Sequence, residues 1–196
     1  MFSDQLFSVF DESDVEKRLA LIREQVDPYF EEIGQQVMPI LNQDGHEYRA
    51  FIAKHARRHI NPPMNTWVAF AERKRGYKMI PHYEVGVWDD RLFVWLAFET
   101  NIKGRKEIIG KLKQTQSSFL QLGQVFVLSN NHMTKNQMQL TSTNYKNLLS
   151  SYENKKQSEF LIGRWISKEE LRLMNKQEIT DFINKTIQSL TEIWDK

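Results

Sequence analysis

The chain has 196 residues, of which 40% are hydrophobic and 27% charged, the balance of a globular domain with a real core rather than of a disordered segment. It contains no cysteine, which excludes disulfides, zinc ribbons and thiol catalysis. Net charge is only +2, yet residues 1–48 hold 3 basic and 11 acidic side chains (−8), residues 49–82 hold 8 and 1 (+7), and residues 83–196 hold 16 and 13 (+3).

The N-terminal MFSDQLFSVFDESD has neither a basic lead nor a long apolar run, so no secretory signal is expected and a cytoplasmic location is. No stretch approaches the roughly 20 apolar residues that cross a bilayer, so no membrane partner is expected. Ser13 followed by Glu16 reads as a capping box, and Val15, Leu19, Ile22 and Val26 follow at helical spacing. Asp27-Pro28 reads as a cap with proline at the first position of a second helix running toward Leu41. Residues 47–54, 66–71, 82–88 and 91–99 are rich in aromatic and β-branched side chains and predict strands. Residues 103–122 predict a helix, Val125 to Leu128 a short strand, and Phe160 to Ile166 a late strand, with 134–152 ambiguous. Helices are expected over 168–174 and 177–194, the last with Ile179, Phe182, Ile183, Ile187, Leu190 and Trp194 on one face. There is no repeat and no low-complexity linker. The expected fold is α+β, a single domain over residues 1–196 with a central, largely antiparallel sheet and helices from both ends packed on it.

The hairpin at 82–98 is the clearest unit. A two-residue turn at Asp89-Asp90 places Trp88 opposite Arg91, Gly86 opposite Phe93 and Glu84 opposite Trp95. Because side chains alternate along a strand, Tyr83, Val85 and Val87 share a face with Leu92, Val94 and Leu96, which is a core face. The opposite face carries His82, Glu84, Gly86 and Trp88 with Arg91, Phe93, Trp95 and Ala97. Aromatic yet polar, it suits either a second layer under a helix or a ligand surface.

The segment from Ala53 through Phe98, with KHARRHINPP, TWVAF, KRGYK, PHYEVGVWD and RLFVWLAF, resembles the signature region of the YktB-like proteins, a bacterial family of about this length. The resemblance extends over the whole chain, though this central block is its distinctive part. It implies a single α+β domain, and it carries no catalytic residue over to this chain.

Two basic runs bound the second predicted strand. Lys54, Arg57 and Arg58 precede it, and Arg73, Arg75 and Lys78 follow it. Arginine presents a rigid fork of donors suited to phosphate, and lysine a hydrated point charge. Six strand residues at about 3.4 Å each put the runs roughly 20 Å apart at opposite ends of the strand. A small phosphate would then meet one run, whereas an extended polyanion such as nucleic acid could meet both. Trp88 and Trp95 are candidate stacking or pocket walls. The alternative is a pair of solvated loops whose charges keep sheet edges from pairing, with the acidic first third packed alongside. Asn61-Pro62-Pro63 stiffens the first loop, either to preorganise donors or simply to redirect the chain.

His55 and His59 stand four apart, but in a proline-limited loop among Arg and Lys, so no metal site is expected there and no cofactor is called for. His82 and Glu84 share a strand face. With His55 beside Arg57 or Arg58 they are weak catalytic candidates for an acid–base pocket; the alternative is a structural ion pair. The phosphate loop of the Walker type, the dinucleotide fingerprint and the G-x-S-x-G elbow are all absent. The leading expectation is a binding module for a phosphorylated or polyanionic partner, possible partners being nucleic acid or a phosphorylated small molecule. The competing ones are a small-molecule enzyme and a protein-interaction domain in which the acidic first third meets the basic middle of another copy. Oligomeric state is left open.

Overall fold

The computed structural model describes residues 5–56 and 58–196. The sheet is built from β1 (Arg49–Ile52), β2 (Asn65–Ala71), β3 (His82–Trp88), β4 (Arg91–Phe98), β5 (Val127–Ser129), β6 (Met138–Gln139) and β7 (Phe160–Ser167). The strand order is β1-β2-β3-β4-β7-β5-β6, and the paired strands run antiparallel. The expected α+β architecture is therefore present. The hairpin register is the expected one, with Glu84 opposite Trp95 and Gly86 opposite Phe93. Among the described residues no helix is long and apolar enough to cross a membrane.

The helices are α1 (Gln5–Ser8), α2 (Val15–Leu21), α3 (Asp27–Leu41), α4 (Arg105–Gln114), α5 (Gln116–Gln121), α6 (Ser142–Asn154), α7 (Lys168–Leu173) and α8 (Lys176–Trp194). Three local expectations are corrected. The cap of α2 is Asp14, whose side chain accepts from Lys17 N at 2.9 Å, because Asp14 and not Ser13 is the last residue with extended backbone before the helix. Asp27 is not a cap: a π-helical turn at Ile22–Val26 joins α2 to α3 without a break, and Pro28 enters a helix already under way. The predicted helix over 103–122 divides at Thr115, whose side chain turns back onto the Lys111 carbonyl at 2.8 Å.

The sheet separates two apolar layers. On one face α3, α6 and α8 cover Val68, Phe70, Tyr83, Val85, Val87, Leu92, Val94 and Leu96, all buried. Helix α8 presents Ile179, Ile183, Ile187, Leu190 and Trp194 to this core, as its spacing predicts. On the other face lies a smaller cluster of Trp67, Ala69, Trp88, Phe93, Trp95, Ala97 and Leu161. Loop residues pack on this second layer, among them Ala53 and Tyr77. Gly86 lets it close: a Cβ there would stand 2.6 Å from the Thr66 carbonyl and 2.7 Å from Trp67 Cβ.

Candidate functional site

The second layer carries an open cleft. The segment after β1 leaves the sheet with Ala53 N still bonded to the Trp67 carbonyl at 2.9 Å, and His55 then takes a left-handed backbone, φ 48°. This turns Lys54, His55 and Arg58 over Trp67. From the other side, Gly76 (φ 71°) reverses the chain after β2, and a short 3-10 turn at Tyr77–Met79 sends Tyr77 and Lys78 back over the same strand. His132 and Met133, from the segment between β5 and β6, close the third side. The cleft holds about 320 Å³.

Its walls are tied together. Trp67 Nε1 donates to the Tyr77 hydroxyl at 3.1 Å, and the His55 and His132 rings each stand 5.6 Å from the Trp67 ring, edge-on. Lys78 Nζ lies 4.9 Å from the Trp67 centroid. His55 Nε2 is 3.0 Å from Thr66 Oγ1. Burial, with help from the Arg58 and Lys78 charges, pushes the His55 imidazole down to about 4, so it is neutral at physiological pH. The Pro-Pro corner is anchored from the N-terminal segment: the buried Arg18 guanidinium donates to the Pro63 carbonyl at 2.8 Å and to the Phe10 carbonyl at 2.7 Å.

A second, larger groove of about 750 Å³ adjoins the cleft along the edge strand β1, with Phe51 stacked on Tyr77 at 5.6 Å between ring centroids. Lys54, Lys74 and Arg75 line it, and Tyr77 borders both depressions. The 20 Å separation expected for the two basic runs is thus corrected. The chain reversal at Gly76 folds the second run back, so that Lys78 shares a cleft with Lys54 and Arg58, and Arg75 shares a groove with Lys54. Arg73 is half-buried and lines neither depression. Arg57 lies outside the described residues. The acidic helices contribute one carboxylate to the groove, Asp27, whose carboxyl burial raises above the ordinary range. Among the described residues Lys54, Arg58, Arg73 and Arg75 form no ion pair, while Lys78 is paired with Glu99 at 2.8 Å.

The two tryptophans expected as stacking walls are placed elsewhere. All three indoles are nearly buried, but Trp88 and Trp95 line neither depression, and the one that lines the cleft is Trp67, 6% exposed. Nor do His55, His82 and Glu84 converge on one open pocket. His82 and Glu84 are fully buried under the Tyr77 ring, 5.0 Å from the His82 ring, whereas His55 lines the cleft above. The reason is alternation: a side chain on the second face of a central strand is covered as soon as a loop folds across it.

Below the cleft the structure gathers, around His82 and Glu84, three ionisable groups that the sequence did not single out, Glu99, His132 and Glu159. His82 Nε2 is 3.2 Å from Glu84 Oε1 and 3.5 Å from Glu99 Oε1. Glu159 Oε2 accepts from His132 N at 2.7 Å and lies 2.8 Å from His132 Nδ1. Burial opposes charge on both imidazoles, but the carboxylates outweigh it and raise them, Glu84 and Glu99 acting on His82 and chiefly Glu159 on His132. Burial likewise opposes the Glu99 carboxylate, yet His82, His132 and Lys78 hold it below the ordinary range. The donor atoms of His82, Glu84 and Glu99 lie within 4.8 Å of one another, as do those of Glu99, His132 and Glu159, so either set has the chemistry to hold a metal ion.

This pattern of a buried polar cluster under a basic cleft sits within a chain that relatives match over 84–100% of its length. A family model described as a domain of unknown function, DUF1054, matches residues 2–194. The chain belongs to this family. It is 40% identical over 197 residues to a UPF0637 protein of Leuconostoc citreum, covering 100% of this chain and 98% of that one. It is 37% identical over 196 residues to a UPF0637 protein of Exiguobacterium sibiricum, covering 100% and 97%. The DUF1054 match accords with the resemblance carried by the KHARRHINPP to RLFVWLAF block, and the residues that line the cleft lie within the matched span.

The sequence reasoning missed Trp67, Tyr77, Glu99, His132 and Glu159. Trp67 was legible in principle, since its pairing with Gly86 puts it on the Glu84 face. His132 and Glu159 carry no periodic signal and meet only because the segment after β5 folds back against the start of β7, with Glu159 N donating to the Asn130 carbonyl at 3.0 Å.

Proposed function

We propose that this DUF1054 protein is a binding module for a phosphorylated ligand that places a phosphate against Lys54 and Arg58 and a planar group against Trp67 and Tyr77. The observation that carries this reading is that Lys54, Arg58 and Lys78, drawn from both basic runs, line one cleft floored by an indole. A cavity of about 320 Å³ suits a small ligand. The guanidinium of Arg58 and the ammonium of Lys54 have no carboxylate partner among the described residues, so an incoming phosphate need not break an ion pair to reach them. The adjoining groove with Lys74 and Arg75 gives a longer phosphorylated chain a continuous path over Lys54. An acid–base enzyme is less well supported, because His82 and Glu84 are sealed away from the cleft that His55 lines.

Calorimetric titration with inorganic phosphate, a nucleoside monophosphate and a short single-stranded oligonucleotide tests the reading. At low salt the monophosphate binds and Arg58→Ala weakens it by about tenfold or more, the range for a lost hydrogen bond to a charged group. Tighter binding of the oligonucleotide, with a steep salt dependence, assigns the groove as well. Absence of binding by all three probes at low salt overturns the proposal.

A further inference from the structure

We propose that His82, Glu84 and Glu99 form a buried site for one divalent transition-metal ion of the zinc or manganese class, beneath the cleft and independent of what the cleft binds. His82 Nδ1 is 2.9 Å from the Ile80 carbonyl, which can only accept, so Nδ1 carries a proton and Nε2 is left facing two carboxylates. Such a bond from the second ring nitrogen to a carbonyl is the usual outer-shell support of a metal-bound histidine.

Lys78 Nζ reaches Glu99 Oε1 at 2.8 Å and balances one carboxylate, so the second positive charge among these acceptors is either a proton on Nε2 or a metal ion. Two observations favour the metal. The first is distance. A charge-assisted N–H to carboxylate bond spans about 2.7–2.9 Å. The neighbouring pair fits that description, with His132 Nδ1 to Glu159 Oε2 at 2.8 Å. His82 Nε2 stands farther off, 3.2 Å from Glu84 Oε1 and 3.5 Å from Glu99 Oε1. Ligands at about 2.0–2.1 Å from a tetrahedral ion stand about 3.3 Å from one another, which these separations match.

The second observation is an unmet acceptor. Glu84 is fully buried, and its Oε2 has no hydrogen-bond donor. Glu99 Oε1, 2.8 Å from Lys78 Nζ, is also without an aligned donor. A single proton on His82 satisfies Glu84 Oε1 and leaves Glu84 Oε2 without a donor among the described residues, whereas a metal ion takes both carboxylates and the imidazole together. The site is closed to solvent, so the ion is taken up as the chain folds and is retained afterwards.

The experiment is refolding of the full chain from denaturant with Zn²⁺, with Mn²⁺, or with a chelator, followed by gel filtration, metal analysis and a thermal melt. The expected result is about one equivalent of metal retained, and a melting temperature several degrees above that of the chelator-refolded protein. Glu84→Gln, which keeps the shape, lowers retention at least tenfold, while Glu153→Gln, at an exposed pair with Lys113, leaves it unchanged. Equal melting temperatures in all three conditions, with no metal retained by the unaltered chain, overturn the assignment in favour of a protonated His82. That readout does not involve phosphate, so it stands or falls apart from the cleft.

Discussion

The two faces of the sheet are built from the same alternating strands but are finished in different ways. On the helix-covered face the inward positions of β4 are apolar, Leu92, Val94, Leu96 and Phe98, as are Val68 and Phe70 of β2, the Arg164 guanidinium opposite Val94 lies over the Phe182 ring, and long amphipathic helices close over the whole. On the loop-covered face the indoles of Trp67, Trp88 and Trp95 alternate with His82 and Glu84, and the cover is loop carrying Lys54, His55, Tyr77 and Lys78. Helices shield a dry core because their own backbone bonds are satisfied internally. Loops bring unsatisfied polar groups and charges with them, and the strand beneath answers with ionisable side chains. The first face holds the fold together, and the second is where chemistry collects.

If that division is right, the largest effect comes from the helix-covered face. Leu96→Ala, at a fully buried position, should cost about 3 kcal/mol in urea unfolding, the usual cost of a cavity that cannot collapse. A loss below about 1 kcal/mol would show a looser core than the division requires. Next comes Gly86→Ala on the other face. The added methyl meets the Thr66 carbonyl, Trp67 and Phe93, and should cost about 2 kcal/mol while displacing the Trp67 indole. A change in tryptophan emission that accompanies the stability loss would tie the strand to the cleft; unchanged emission would separate them.

A smaller effect concerns pH. His55 is held near 4 in the fold, below its unfolded value of about 6.5, by burial first and then by Arg58 and Lys78. The unfolded chain therefore takes up the proton first. The contribution of neutral His55 is fully present above pH of about 6.5 and is lost as pH falls toward 4. Melting temperature should fall less steeply over this window in His55→Gln than in the unaltered chain, and parallel curves would refute the burial of this ring. Smallest is the effect of Arg58→Ala on stability, under about 0.5 kcal/mol, because its guanidinium has no ion pair among the described residues. The same substitution weakens phosphate binding, so stability and affinity should part company at this residue.

Much of the fold was legible in the residues. The hairpin register came out of alternation and a two-residue turn, and the apolar stripe of α8 out of its 3.6-residue period. The helix start at Asp14 was misplaced by one residue, and the π-helical junction before Asp27 was invisible because a proline after an aspartate has the same signature whether a helix begins or continues there. For the site, the basic residues were found and their mutual placement was not. An extended strand alone sets them roughly 20 Å apart, whereas the left-handed Gly76 and His55 fold both loops back across it.

The sequence by itself determined the strands, their facing, the apolar core and the concentration of positive charge in residues 49–82, because alternation, helical period and turn chemistry are properties of near neighbours. Only the tertiary structure decided that Trp67 rather than Trp88 or Trp95 floors the cleft, and that Glu99, His132 and Glu159 gather under it beside His82 and Glu84. Those groups come from four separate stretches of chain. They meet because β7 inserts between β4 and β5, a pairing set by the burial of whole strands and written in no local pattern.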